Sequence, residues 1–188
     1  MKLTLKALGI AVILFALAGC ASQSDNIAAA PTMTSSVTPV CLSSQLIVID
    51  GLGGVAMGHF GLDSSAFKNI SKSTCTLQGF PNFQMLERSG KLIATQVIGG
   101  TSYTVHYQSE DIVTLLPGNE AMFDLGFDNA TGYGRSLCPT SAKVEVTPPG
   151  NTESITVPWK FQPYGGGTIA NLRCGEITTS PVYWPIRA

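Results

Sequence analysis

Charge is scarce in this chain. Only 12% of its 188 residues are Asp, Glu, Lys or Arg, and 11 basic against 12 acidic side chains leave a formal net charge of −1. No basic run or stripe occurs, so the electrostatic footprint of a nucleic-acid binder is missing. There is no C-x-x-C pair, no H-E-x-x-H and no G-x-S-x-G, which removes the usual structural-zinc, zinc-protease and serine-hydrolase patterns. Beyond residue 20 no segment sustains a helical apolar period, and this argues against a helical bundle. The most apolar run, Ala7 to Ala18, is well short of the about 20 residues that a bilayer-spanning helix needs.

That run has the length of a signal-peptide core instead. Lys2 and Lys6 precede it, and Leu17-Ala18-Gly19-Cys20 closes it with small residues before a cysteine. The arrangement resembles the bacterial lipobox. Residues 1–19 are therefore expected to be a lipoprotein signal peptide. Cys20 then becomes the first mature residue, carrying a diacylglyceryl thioether and an amide-linked acyl chain. Each buried methylene contributes about 0.8 kcal/mol, so several chains make a nearly permanent anchor. Residues 20–40 are rich in Ala, Ser, Thr and Pro and bury too little to order themselves, as expected of a flexible tether. Ala21, rather than Asp, follows the cysteine. In a two-membrane host this resembles lipoproteins sent to the outer membrane. The expected location is the cell envelope, facing periplasm or exterior.

Residues 41–188 form one domain by length. Twenty glycines and 11 prolines punctuate the chain. Gln45 to Asp50 reads as a short apolar strand. Phe83 to Glu87 and Lys91 to Ile98 flank Ser89-Gly90, a hairpin signal. Tyr103 to Gln108 alternates, and Ile112 to Leu116 stops at Pro117-Gly118. Phe123, Leu125 and Phe127 share a face opposite Asp124 and Asp128. Val144 and Val146 lead to Pro148-Pro149-Gly150, with Ile155, Val157 and Trp159 beyond it. Many short strands with frequent turns predict an all-β fold, and an immunoglobulin-like antiparallel β-sandwich is the form expected.

Setting Cys20 aside leaves Cys41, Cys75, Cys138 and Cys174. An even remainder in an exported domain suggests two disulfides, with three connectivities open. The sequence-local pairing, Cys41 with Cys75 and Cys138 with Cys174, is favoured. Either closure would contribute roughly 3–4 kcal/mol on the chain-entropy model.

Cys75 to Pro81 reads CTLQGFP. This resembles the CTLxGFP or CTLxGYP signature of bacterial exported proteins carrying domain of unknown function 4232. Other landmarks fall in that family's order: Cys41 with Leu46 after it, Leu115-Leu116-Pro117-Gly118 with Ala121, then Cys138, Val144 to Pro148, and Cys174. The resemblance covers most of Cys41 to Pro181. It implies a β-sandwich in the envelope, often lipid-anchored, and supplies no catalytic residues. The triple glycine Gly165 to Gly167 and the pair Tyr183-Trp184 match no family landmark.

Several chemical motifs compete with plainer readings. Gly51, Gly53 and Ala56 after QLIVID imitate a dinucleotide fingerprint, but that motif needs a helix at the glycines. Gly58 and Gly61 interrupt it, so a loop between strands is expected. His59 and His106, the only histidines, are not read as a metal or catalytic pair, and His106, on the more polar face of its strand, is read as an exposed side chain. Asp124 and Asp128 share a strand face, read as solvated and not as a glycosidase pair. The Asn69 and Asn129 sequons are expected to stay unmodified. Trp159, Tyr164 and Trp184 are the candidate ligand contacts, since loop aromatics can stack on sugars or anchor a protein. No catalytic residue, metal or cofactor is expected. The partners expected are the membrane, through the lipid, and an envelope protein or glycan. The function expected is a non-enzymatic binding or structural module. Two competitors are a protein-interaction module, which would show an apolar patch, and a hydrolase of envelope polymer, which would gather His, Asp or Ser in one pocket.

Overall fold

The structure, a computed structural model, describes residues 37–56, 58–106, 108–128, 138–158 and 172–185. Cys20, Trp159, Tyr164 and the Asn129 sequon lie outside the described residues.

Eleven strands are present among them: β1 (Leu46–Ile49), β2 (Leu52–Ala56), β3 (His59–Asn69), β4 (Cys75–Leu77), β5 (Asn82–Leu86), β6 (Gln96–Gly99), β7 (Val113–Leu115), β8 (Glu120–Asp128), β9 (Lys143–Thr147), β10 (Ile155–Val157) and β11 (Glu176–Thr179). They form a six-stranded sheet ordered β1-β3-β8-β11-β6 with β2 also on β3, a three-stranded sheet β10-β9-β5, and the pair β4-β7. The protein is thus a mostly β domain of three sheets. Its pairings are not all antiparallel, because β11 runs parallel to β6.

Alternation explains which residues are inside. Phe60 and Leu62 of β3, Phe123, Leu125 and Phe127 of β8, and Ile177 of β11 are buried in one apolar cluster, as a period of two requires. Phe83 and Met85 of β5 and Val144 and Val146 of β9 join the same cluster. The Phe83 and Phe123 rings lie 6.0 Å apart, so the three-stranded sheet packs on the large one there. Cys75 and Leu77 share one buried face of β4. Both sequence-local disulfides form: Cys41–Cys75, 34 residues apart, and Cys138–Cys174, 36 apart. Val37 to Val40 join the folded unit, with Val40 bridged to Thr76 and the Thr76 N–H donating to Pro39 O at 2.9 Å.

Three local expectations are corrected. The glycine-rich stretch after Asp50 is not a loop. It is strand β2, turned through Gly58 (φ +88°) into β3, and Gly53 and Gly54 pair with Leu62 and Gly61 in the ladder. Ser89-Gly90 does make a tight turn, with the Glu87 N–H donating to Lys91 O, but the returning chain leaves β5 after Ile93 and enters the other sheet as β6. Tyr103 to His106 is irregular rather than a strand. It lies across a sheet face, with Val105 buried and Tyr103 exposed, and that contact replaces a ladder.

Candidate functional site

The site grows from the outer face of the β3–β8 pair. Register places His59 opposite Asp128 and Gly61 opposite Gly126, with Phe60, Leu62, Leu125 and Phe127 pointing the other way into the core. The two glycines leave a shallow trough. The irregular segment from Ser102 to His106 fills it: a Cβ on Gly61 would stand 2.7 Å from Thr104 Cβ, and one on Gly126 would meet Thr104 Oγ1. Thr104 Oγ1 donates to Phe60 O at 3.2 Å, tying the segment down.

At one end of this segment is a cleft of about 200 Å³ lined by His59, Ser102, Tyr103, Asp128, Glu176 and Thr178, among others. His59 Nδ1 donates to Asp128 Oδ1 at 2.6 Å, and the Tyr103 ring lies 5.6 Å from the imidazole. Tyr103 is 68% exposed. His59 is half-exposed and is not isolated. No hydroxyl of the cleft hydrogen-bonds to its other nitrogen among the described residues. Ser102 Oγ instead accepts the Thr104 N–H at 3.3 Å. A nucleophile and base in direct contact, as covalent hydrolysis requires, are not assembled there.

At the other end lies Asp124. Its expected place on a solvated face is corrected: only 4% of it is exposed. The alternation holds, but two distant segments cover that face. The C-terminal chain continues past β11, with Tyr183 bridged to Met122 and the Tyr183 hydroxyl donating to Asp124 Oδ1 at 2.6 Å. The Asp124 N–H donates to Ser180 Oγ at 2.9 Å. From the opposite side, β3 carries a bulge between Leu62 and Ser65, and Ser64 there has φ +61°. A bulge frees a backbone donor from the ladder, and the Ser64 N–H uses it to reach Asp124 Oδ1 at 3.1 Å. Asp63, in the same bulge, and the exposed His106 bring ligand atoms within 4.8 Å of one another and of Asp124. The two histidines, weighed together in the sequence, thus serve separate clusters.

The electrostatics follow from this crowding. Burial, and then the Asp124 charge, hold the Asp63 carboxyl above its ordinary range, while His106 acts in the opposite direction. Burial first, then donation to Asp124, pushes the Tyr183 phenol above its usual 10.0.

Of the aromatic contacts expected, Trp184 is 45% exposed and stands apart from the cleft. The exposed aromatic among its lining residues is Tyr103, which alternation assigns to a strand. Its near neighbour Val105 is the buried member of that segment. The signal was present in Gly61 and Gly126: paired small residues on an outer face mark a close backbone approach. Asn69, in the first sequon, is fully buried. Its Nδ2 donates to Ser73 O and Leu115 O, and its Oδ1 accepts from Ser71. No glycan can reach it in the folded domain.

Fold and site together define a disulfide-tied, mostly β domain with a small polar cleft on the outer face of its main sheet. The chain belongs to the family of domain of unknown function 4232, whose model matches residues 52–183. The match takes in the CTLQGFP segment and the Pro117-Gly118 turn and begins after Cys41. No curated protein and no solved structure shows significant similarity to it.

Proposed function

We propose that this is a lipid-anchored cell-envelope protein whose β domain is an immunoglobulin-like sandwich acting as a non-enzymatic binding module, with the His59–Tyr103 cleft taking a glycan unit. The observation that carries the reading is the exposed Tyr103 ring beside the His59–Asp128 pair. An aromatic face for the apolar side of a sugar, with carboxylate and hydroxyl groups around it, is the chemistry of carbohydrate recognition. A cleft of about 200 Å³ suits one sugar residue and falls below the roughly 300–1,000 Å³ of pockets for drug-sized ligands. Two intramolecular disulfides support an oxidising compartment, and the Leu17–Cys20 motif supports attachment through Cys20. Titration calorimetry with soluble peptidoglycan fragments and common envelope saccharides is the test. Saturable binding abolished by Tyr103→Ala supports the reading, and no binding across the panel overturns it.

One observation favours protein interaction as a second reading. Val37, Val40 and Ile112 are exposed and line a separate, larger cleft with Thr76, Thr114 and Pro149. Cross-linking in intact cells, with and without Val40→Asp, separates the two.

A further inference from the structure

We infer that Asp63, His106 and Asp124 form a binding site for a divalent transition cation of the zinc class. One imidazole nitrogen and two carboxylate oxygens lie within 4.8 Å of one another. A mixed nitrogen–oxygen set suits Zn²⁺ and its neighbours, whereas Ca²⁺ and Mg²⁺ favour oxygen alone. Three protein ligands leave a position for water. Ligand atoms around a tetrahedral ion at 2.0–2.2 Å stand about 3.4 Å apart. Closing from at most 4.8 Å is a shift of up to about 1.4 Å, within reach of the exposed His106 on its irregular segment.

Independent of the cluster, Asp124 is built as a ligand. It is nine-tenths buried and more, and its Oδ1 is held by both the Tyr183 hydroxyl and the Ser64 N–H. No hydrogen bond among the described residues reaches Oδ2, so that oxygen is free of protein donors there. Orientation of a carboxylate through its other oxygen is how outer-shell groups prepare a metal ligand. Among the described residues no Lys or Arg pairs with either aspartate; the ion pairs there are His59–Asp128 and Lys68–Glu120. A buried carboxylate without a cation is costly, and a bound dication would supply the missing charge to both. Tyr183 is then a positioning residue.

The site lies at the opposite end of the Ser102–His106 segment from the sugar cleft and does not depend on that reading. The test is equilibrium binding of Zn²⁺ to the full-length protein in detergent after chelator treatment, with Mn²⁺, Mg²⁺ and Ca²⁺ compared, and the melting temperature read in parallel. One Zn²⁺ per chain is expected, with a rise in melting temperature. His106→Ala, an exposed change that leaves the fold intact, is expected to weaken binding by about 100-fold or more, and Tyr183→Phe by about 10–100-fold. Asp111→Asn, at an exposed acid that among the described residues bonds only to Ser109, is expected to change nothing. Absence of stoichiometric binding, binding unaffected by His106→Ala, or binding lost with His59→Ala instead would overturn the assignment.

Discussion

The two disulfides close loops of almost equal length, 34 and 36 residues, and this makes their removal an informative experiment. Loop-closure entropy gives ~3.8 kcal/mol for either bridge at 25 °C. The surroundings differ. Cys41 and Cys75 are both fully buried in the apolar cluster, whereas Cys138 and Cys174 are partly exposed. Replacing the first pair by alanine also removes two core sulfurs, adding ~1–2 kcal/mol of lost burial and packing. It loosens the Val40–Thr76 bridge as well. The double variant Cys41→Ala/Cys75→Ala is therefore expected to lose ~5 kcal/mol, and Cys138→Ala/Cys174→Ala ~4 kcal/mol. Against a typical total of 5–15 kcal/mol, both losses are severe and the first is near threshold. Urea unfolding followed by far-ultraviolet circular dichroism measures the difference. With slopes of about 1–3 kcal/mol per molar, the two midpoints should differ by ~0.3–1 M, the Cys41/Cys75 variant unfolding first. Coincident midpoints, or the reverse order, would refute the claim that the first bridge serves the core as well as the chain.

Tyr183→Phe leaves buried Asp124 short of a donor and is expected to cost about 1.5–3 kcal/mol at pH 7, read by the same unfolding assay. The folded state keeps the Tyr183 phenol protonated above its ordinary 10.0, while the unfolded chain releases that proton. Stability of the parent protein should accordingly fall as pH rises past 10, and the gap to the Phe variant should narrow there; a constant gap would show that the phenol is not held. Asp63 has a raised pKa in the folded state, so its contribution is lost as pH rises from 3.8 through the folded value. Without metal, Asp63→Asn is expected to raise the melting temperature at pH 7 and not at pH 3, by well under about 1 kcal/mol equivalent because the group is partly solvated. Gly126→Ala places a Cβ against Thr104 Oγ1. It should displace the Ser102–His106 segment and weaken saccharide and Zn²⁺ binding together, detected by calorimetry; loss of only one would separate the segment's two ends.

What the sequence shows depends on how local the cause is. The inward faces of β8 and β9 follow from alternation alone, since Phe123, Leu125 and Phe127, or Val144 and Val146, need only a period of two. Turns at Pro117-Gly118 and Pro148-Pro149-Gly150 are equally local. The burial of Asp124 is not. It depends on the β3 bulge at Ser64, about sixty residues upstream, and on the chain near Tyr183, and neither cover leaves a mark on β8 itself. The parallel β6–β11 pair likewise depends on a crossover, not on composition. The disulfide partners were one of three possibilities by counting. They coincide with the short pairings because β4 returns beside the chain entering β1, and the Thr140–Arg173 bridge brings Cys174 to Cys138.

The claim on which the functional account rests is that the chain is exported and held by lipid at Cys20. Intact mass spectrometry of the protein purified from membranes, with thiols blocked before and after reduction, addresses it most directly. The account predicts a mature chain starting at an acylated Cys20, with four cysteines that become reactive only on reduction. A chain without acyl groups, carrying thiols reactive from the outset, would contradict it.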